Sequence, residues 1–146
     1  MSSDASFSIL QRVYYEDTDA AGIVYHANYL KFMERARTDL LRHIGVGHQV
    51  MSELGRVFAV TSADVRFRRP ARLDDEVSVT VEISEVKRAS LVFRQSVLLN
   101  QGLVNEQVLC TGEFVVACLD SASMKPASIT KALRSLCLNV TNTSQV

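Results

Sequence analysis

A chain of 146 residues can build one hydrophobic core, and is short enough that a deep pocket would need a wall from a second subunit. Apolar residues make up 47% and charged residues 22%, with 16 basic against 16 acidic side chains, a balance that argues against disorder and against nucleic acid as a partner. No apolar run approaches the roughly 20 residues of a membrane-spanning helix, and MSSDASFSIL has neither the basic nor the long hydrophobic region of an export signal, so the expected location is cytoplasmic.

Residues 7 to 15, FSILQRVYY, are rich in β-branched and aromatic types and predict a first strand. The stretch that follows, within YYEDTDAAGIVYHANYLKF (14 to 32), gathers Glu16, Asp17, Asp19, Gly22 and His26 between that strand and a helix. From Asn28 onward Tyr29, Phe32, Met33, Ala36, Leu40 and Ile44 recur at steps of three and four, with Lys31, Glu34, Arg35, Arg37, Asp39 and Arg42 on the other side. This predicts a helix of about 17 residues with Asn28 as its N-cap and Gly45 as its stop.

A short helical piece or loop near GVGHQVMSELG leads to four extended segments. They are VFAVTSADVRF (57 to 67), VSVTVEIS (77 to 84), SLVFRQSVLL (90 to 99) and LVNEQVLCTGEFVVACL (103 to 119). The joins EVKRA and NQG are short enough for hairpins, so the later strands are expected to pair antiparallel. In VSVTVEIS the residues Val77, Val79, Val81 and Ile83 share one face, which predicts a sheet buried on that side. Residues 125 to 138 predict a short helix with Ile129, Leu133 and Leu136 on one side, and 139 to 146 a frayed polar end. With one long helix and a run of antiparallel strands, the expected fold class is α+β, about five strands wrapped around the helix in a single domain spanning 1 to 146.

Cys110, Cys118 and Cys137 are odd in number and lack metal-ligand spacing. Eight residues apart in one strand, Cys110 and Cys118 would stand about 26 Å from each other, far beyond disulfide reach. Buried free thiols, suited to a reducing compartment, are expected, and no cofactor or metal.

The run Tyr15, Asp17, Asp19, Gly22, Val24, Tyr25, His26, Asn28 and Tyr29, followed by FMERAR (32 to 37) and later by PARLDDEV (70 to 77), resembles the signature of hotdog-fold thioesterases of the 4-hydroxybenzoyl-CoA thioesterase family. It is most similar to the branch of bacterial acyl-CoA thioesterases associated with the Tol-Pal cell-envelope system. The resemblance implies a hotdog fold, hydrolysis of an acyl thioester, and a homodimer or homotetramer whose strands pair edge to edge with active sites at the interface. It assigns Asp19 as the catalytic aspartate, acting as nucleophile or as general base. His26 matches the residue whose backbone N–H faces the thioester oxygen, and its imidazole is implicated beside Asp19 and Tyr15 in the Tol-Pal branch. Asp17 matches a recurrent acidic position, for which a hydrogen-bonded turn carboxylate is the plainer reading.

The chemistry suits the spacing. Thioester hydrolysis needs a nucleophile at the carbonyl and stabilisation of the charge that develops on its oxygen, and a helix N-terminus offers unpaired N–H groups for the second task. Gly22 would permit a tight turn, Tyr15 could orient Asp19 through its phenol, and Tyr25 and Tyr29 stand where substrate would bind. By resemblance Lys87 and Arg88, in the hairpin 85 to 90, match a basic cluster that meets the nucleotide of coenzyme A, although Ala89 replaces its third cation. Arg68 and Arg69 form a second candidate patch. The absence of tryptophan favours an aliphatic acyl group, carried by coenzyme A or by an acyl carrier protein. The alternatives are a hotdog hydroxyacyl-thioester dehydratase and a noncatalytic acyl-CoA or acyl-carrier-protein binding module.

Overall fold

The computed structural model describes residues 7–145, so residues 1–6, which opened the stretch read as lacking an export signal, and Val146 of the polar tail lie outside the described residues. The chain runs β1 (Phe7–Arg12), α1 (Asn28–His43), α2 (His48–Glu53), β2 (Arg56–Phe67), β3 (Glu76–Val86), β4 (Ser90–Leu99), β5 (Gln107–Asp120) and α3 (Lys131–Gln145). The strands form one five-stranded sheet in the order β1-β3-β4-β5-β2, antiparallel throughout. Helix α1 packs against β1, β3 and β4, and α3 lies along β3.

Alternation along the strands decides which face meets α1. Val77, Val79, Val81 and Ile83 are all buried, as predicted, and join Phe93, Val97, Cys110, Phe114 and Cys118 in one core. From the helix come Tyr29, Phe32, Met33, Ala36 and Leu40, and the side of α1 carrying Lys31, Glu34 and Arg35 stays wet. Burying a side chain such as Phe32 stabilises the fold by roughly 1.5–3 kcal/mol. Gly112 on β5 makes room for α1, because a Cβ there would stand 2.9 Å from Phe114 Cε2 and 3.0 Å from Met33 Sδ. Arg37, expected on the polar side of the helix, is instead buried. Arg37 stacks 4.3 Å from the Phe114 ring centroid and donates to Gln95 Oε1 at 2.9 Å, while Gln95 Nε2 donates to the Met33 carbonyl at 3.0 Å. Burial lowers the pKa of this guanidinium.

On the opposite face of the sheet the register sets Glu82 against Arg94 and Arg94 against Glu113, a cross-strand row joined by ion pairs at 3.9 and 3.7 Å. The three cysteines are free and buried, and burial pushes the Cys110 thiol up to about 12 and that of Cys137 to about 11.

Several boundaries differ from those predicted. β1 ends at Arg12 instead of continuing to residue 15, because the Asp17 carboxylate takes the Tyr14 N–H at 2.9 Å and bends the chain into a 3-10 turn over Tyr15–Asp17. Asn28 is the first residue of α1 and Ala27 holds the cap position; the Asn28 side chain donates instead to Asp17 Oδ1 at 3.1 Å. β5 begins at Gln107 because Asn100 and Gly102, at φ of 59° and 81°, coil the preceding residues into a turn longer than the tight hairpin expected. α3 starts six residues after the predicted position 125 and runs to Gln145. Gly45 does stop α1, with a φ of 91°.

Candidate active site

The junction between β1 and α1 is a compact double turn. Thr18 and Val24 form a β-bridge, the Asp19 N–H donates to the Ile23 carbonyl at 2.9 Å, and the Gly22 N–H returns to the Asp19 carbonyl at 3.0 Å. Gly22 has a φ of 79°, and a Cβ there would meet nothing within 4 Å, so glycine is required for the backbone conformation and not for close packing within the chain. Asp19 is exposed, with Oδ1 accepting the Ala21 N–H at 2.9 Å. Its carboxylate is therefore anchored through one oxygen, and the other takes no hydrogen bond from the described residues.

Asp17 has a different part. Only 6% exposed, it accepts from the Tyr14 N–H and from Asn28 Nδ2, tying the 3-10 turn to the head of α1. The turn-carboxylate reading is the one its geometry supports.

At the head of α1 the N–H groups of Asn28, Tyr29 and Leu30 turn back to the carbonyls of Tyr25, His26 and Ala27 at 2.8, 3.3 and 3.2 Å. The Tyr25 N–H goes to the Asp17 carbonyl at 3.0 Å. Among the described residues this leaves the N–H groups of His26 and Ala27 without an acceptor. The unspent donors thus lie just before the helix.

Beside them is a cleft of about 280 Å³ lined by Ile23, Val24, His26, Tyr29 and the segment Phe67–Pro70. The His26 imidazole packs against Tyr25 with the rings tilted by 45° at 4.5 Å between centroids, and meets Phe67 edge-on at 6.1 Å. Phe67, 52% exposed at the end of β2, also contacts Tyr29 at 5.8 Å. Tyr29 is almost wholly buried and its phenol oxygen accepts the Ala71 N–H at 3.0 Å, fastening α1 to the segment after β2; burial is the main cause of its raised pKa.

The predicted residues are only partly assembled. Asp19, Gly22, Tyr25, His26 and Tyr29 share this corner, with His26 and Tyr29 in the cleft wall and Asp19 joined to it through Ile23. Tyr15 is 80% exposed, and its phenol makes no hydrogen bond to Asp19, so the orienting contact expected of it is not formed in this structure. Lys87 and Arg88 sit beyond the far end of β3, which runs eleven residues away from the junction, roughly 33 Å at strand rise. Within one chain they are not brought to Asp19. Phe67 was not anticipated, although an aromatic residue ending a strand just before two arginines and a proline was its available signal. A larger hollow of about 370 Å³ lies at the other end of α1, lined in part by Leu41, Arg42, His48, Met51, Arg56 and Phe58. It contains none of the candidate site residues.

Residues 13–136 match the family model of the thioesterase-like superfamily. The chain belongs to this thioesterase family. It is 42% identical over 123 residues to the acyl-CoA thioester hydrolase YbgC of Escherichia coli, covering 84% of this chain and 88% of that protein. It is also 40% identical over 132 residues to the acyl-CoA thioesterase YbgC of Haemophilus influenzae, covering 90% and 93%. Among solved structures, a probable thioesterase from Bartonella henselae superposes with a TM-score of 0.77 at 29% identity, covering 86% of this chain and 99% of that one. The five-stranded antiparallel sheet around α1 is the hotdog fold of this thioesterase family.

Proposed function

We propose that the protein hydrolyses the thioester of an acyl-CoA to a free acid and coenzyme A, with Asp19 as nucleophile or general base. The observation that carries this reading is the pairing of an anchored, exposed carboxylate with two unspent N–H groups, those of His26 and Ala27, at the entry to α1. A thioester carbonyl oxygen received by those donors is polarised as negative charge grows on it. If Asp19 is the nucleophile, its oxygen adds to the carbonyl carbon, the C–S bond breaks, the thiolate leaves and takes a proton, and water hydrolyses the resulting anhydride. If Asp19 is the base, it accepts a proton from water while the hydroxyl adds to the same carbon and the thiolate leaves. The named activities of the YbgC relatives agree with either course.

Thiol release across acyl-CoA chain lengths and an aromatic thioester tests the reading, since neither dehydration nor simple binding liberates thiol. An aliphatic acyl group is the first choice. A second reading, an aryl group, draws support from the rings of His26, Tyr29 and Phe67 that line the cleft. The chain-length profile separates the two, and acyl carrier protein thioesters in the same assay separate the carriers. The three free cysteines agree with a cytoplasmic location. We further propose a homodimer or homotetramer, because β2 is an edge strand and its residues Val60–Asp64 are exposed.

A further inference from the structure

We propose that Arg68, Arg69 and Arg72 form a phosphate-recognition site on the rim of the His26 cleft, so that the anionic end of the thioester's carrier group is held by the same chain that supplies Asp19. The inference rests on the thioesterase reading for the identity of its ligand. Three observations carry it.

The first is local conformation. In a regular strand successive side chains point to opposite faces, yet the N–H groups of Arg68 and Arg69 both donate to the Leu109 carbonyl, at 2.9 and 3.1 Å. Alternation is broken at the end of β2, and both arginines line the cleft with His26 and Tyr29. Pro70 fixes the chain immediately beyond, and Tyr29 clamps the Ala71 N–H. Arg72 then forms a β-bridge with Ile23, itself a cleft residue.

The second is charge. Of the acids close in sequence, Asp64 pairs with Arg66 at 3.0 Å, Glu76 with Arg12 at 3.8 Å, and Asp75 Oδ2 accepts the backbone N–H of Arg72 at 2.9 Å, while the Asp74 carboxylate forms no ion pair among the described residues. Among the described residues no carboxylate lies within salt-bridge distance of the Arg68, Arg69 or Arg72 guanidinium. Three unpaired guanidiniums within five residues repel one another, and a phosphate accepting their N–H groups relieves that repulsion. The third is distance. Within one chain the alternative cations, Lys87 and Arg88, stand at the opposite end of β3 from Asp19, so a site on the chain that supplies Asp19 has to use other cations.

The test is calorimetric titration of free coenzyme A into the parent protein and into Arg68→Ala/Arg69→Ala and Arg72→Ala variants at low salt, with dephospho-coenzyme A, phosphopantetheine and pantetheine as further arms. These side chains are exposed and make no ion pair among the described residues, and Arg68→Lys/Arg69→Lys guards against a loss caused by shape alone. The expected result is a Kd for coenzyme A raised about tenfold or more in the double alanine variant, largely retained by the lysine variant, and an effect that fades as salt rises. A loss shared by phosphopantetheine points to the phosphate at the head of the arm, the one a carrier protein also bears. A loss seen with coenzyme A and absent with dephospho-coenzyme A points to the 3′-phosphate. An unchanged Kd, an equal loss for phosphate-free pantetheine, or a loss confined to a Lys87→Ala/Arg88→Ala variant overturns the proposal. Because binding is read without turnover, a protein that binds coenzyme A through these arginines but releases no thiol would refute hydrolysis while leaving the site intact.

Discussion

Asp17 and Asp19 stand two residues apart on one turn, and burial separates their duties. Asp17 spends both oxygens on Tyr14 and Asn28, whereas Asp19 keeps one oxygen uncommitted in solvent. Asp19→Asn preserves size while removing charge and basicity, so kcat for acyl-CoA hydrolysis is expected to drop by roughly a hundredfold or more while coenzyme A still binds. A folded Asp19→Asn protein hydrolysing at near the parent rate would falsify the proposed role. His26→Ala should cost less, because the backbone N–H at that position survives the substitution. Asp17→Ala is expected to act on stability, lowering it by about 1–3 kcal/mol in denaturant titration through the orphaned Tyr14 N–H and Asn28 amide. At the same scale, the Cys110 thiol has its pKa raised from 9.0 to about 12 by burial, so the folded chain holds this proton longer than the unfolded chain does. Its contribution to stability is complete below pH 9 and is lost as pH rises toward 12, which pH-dependent melts measure. In the native protein at pH 8 this thiol should react with a thiol reagent only as fast as the chain unfolds.

At the scale of elements, α1 is seated by a glycine on the strand facing it. Gly112→Ala places a methyl group 2.9 Å from Phe114 Cε2 and 3.0 Å from Met33 Sδ, and one of those side chains must shift. A loss of about 1–3 kcal/mol is expected from such overpacking, read from the denaturation midpoint. The same displacement would disturb Arg37, whose guanidinium rests on the Phe114 ring. A stability unchanged from the parent would show that Met33 swings aside freely.

For the whole molecule the decisive feature is β2. It is twelve residues long, lies at the sheet's edge, carries a register shift between Val60 and Ser62, and exposes most of its length. Its Val60–Ala63 stretch carries no charge and no proline to discourage pairing. Sedimentation at working concentration should therefore give a dimer or tetramer, and a fully active monomer would contradict the oligomer proposal. The cleft agrees with that expectation, since within this chain it is walled by the turn before α1, by Tyr29 and by Phe67–Pro70, and is open on its remaining side.

Periodicity determined the long helix and the inward row Val77, Val79, Val81 and Ile83, because burial of one face repeats every 3.6 or 2 residues, and the short joins between extended segments determined the antiparallel succession of the later strands. The motif around Asp19 and His26 was legible through its resemblance to the thioesterase signature, whose residue types recur here at fixed spacing across a short turn. Element ends were not: Asp17 stops β1 and displaces Asn28 from the cap through a side-chain bond spanning eleven residues, which no local propensity encodes. Nor could spacing reveal that Phe67, forty-one residues after His26, closes over the same cleft, or that Lys87 and Arg88 lie at the far end of a strand from Asp19. Those facts depend on the pairing of distant strands and on the seat of α1 across them, and only the folded chain decides them.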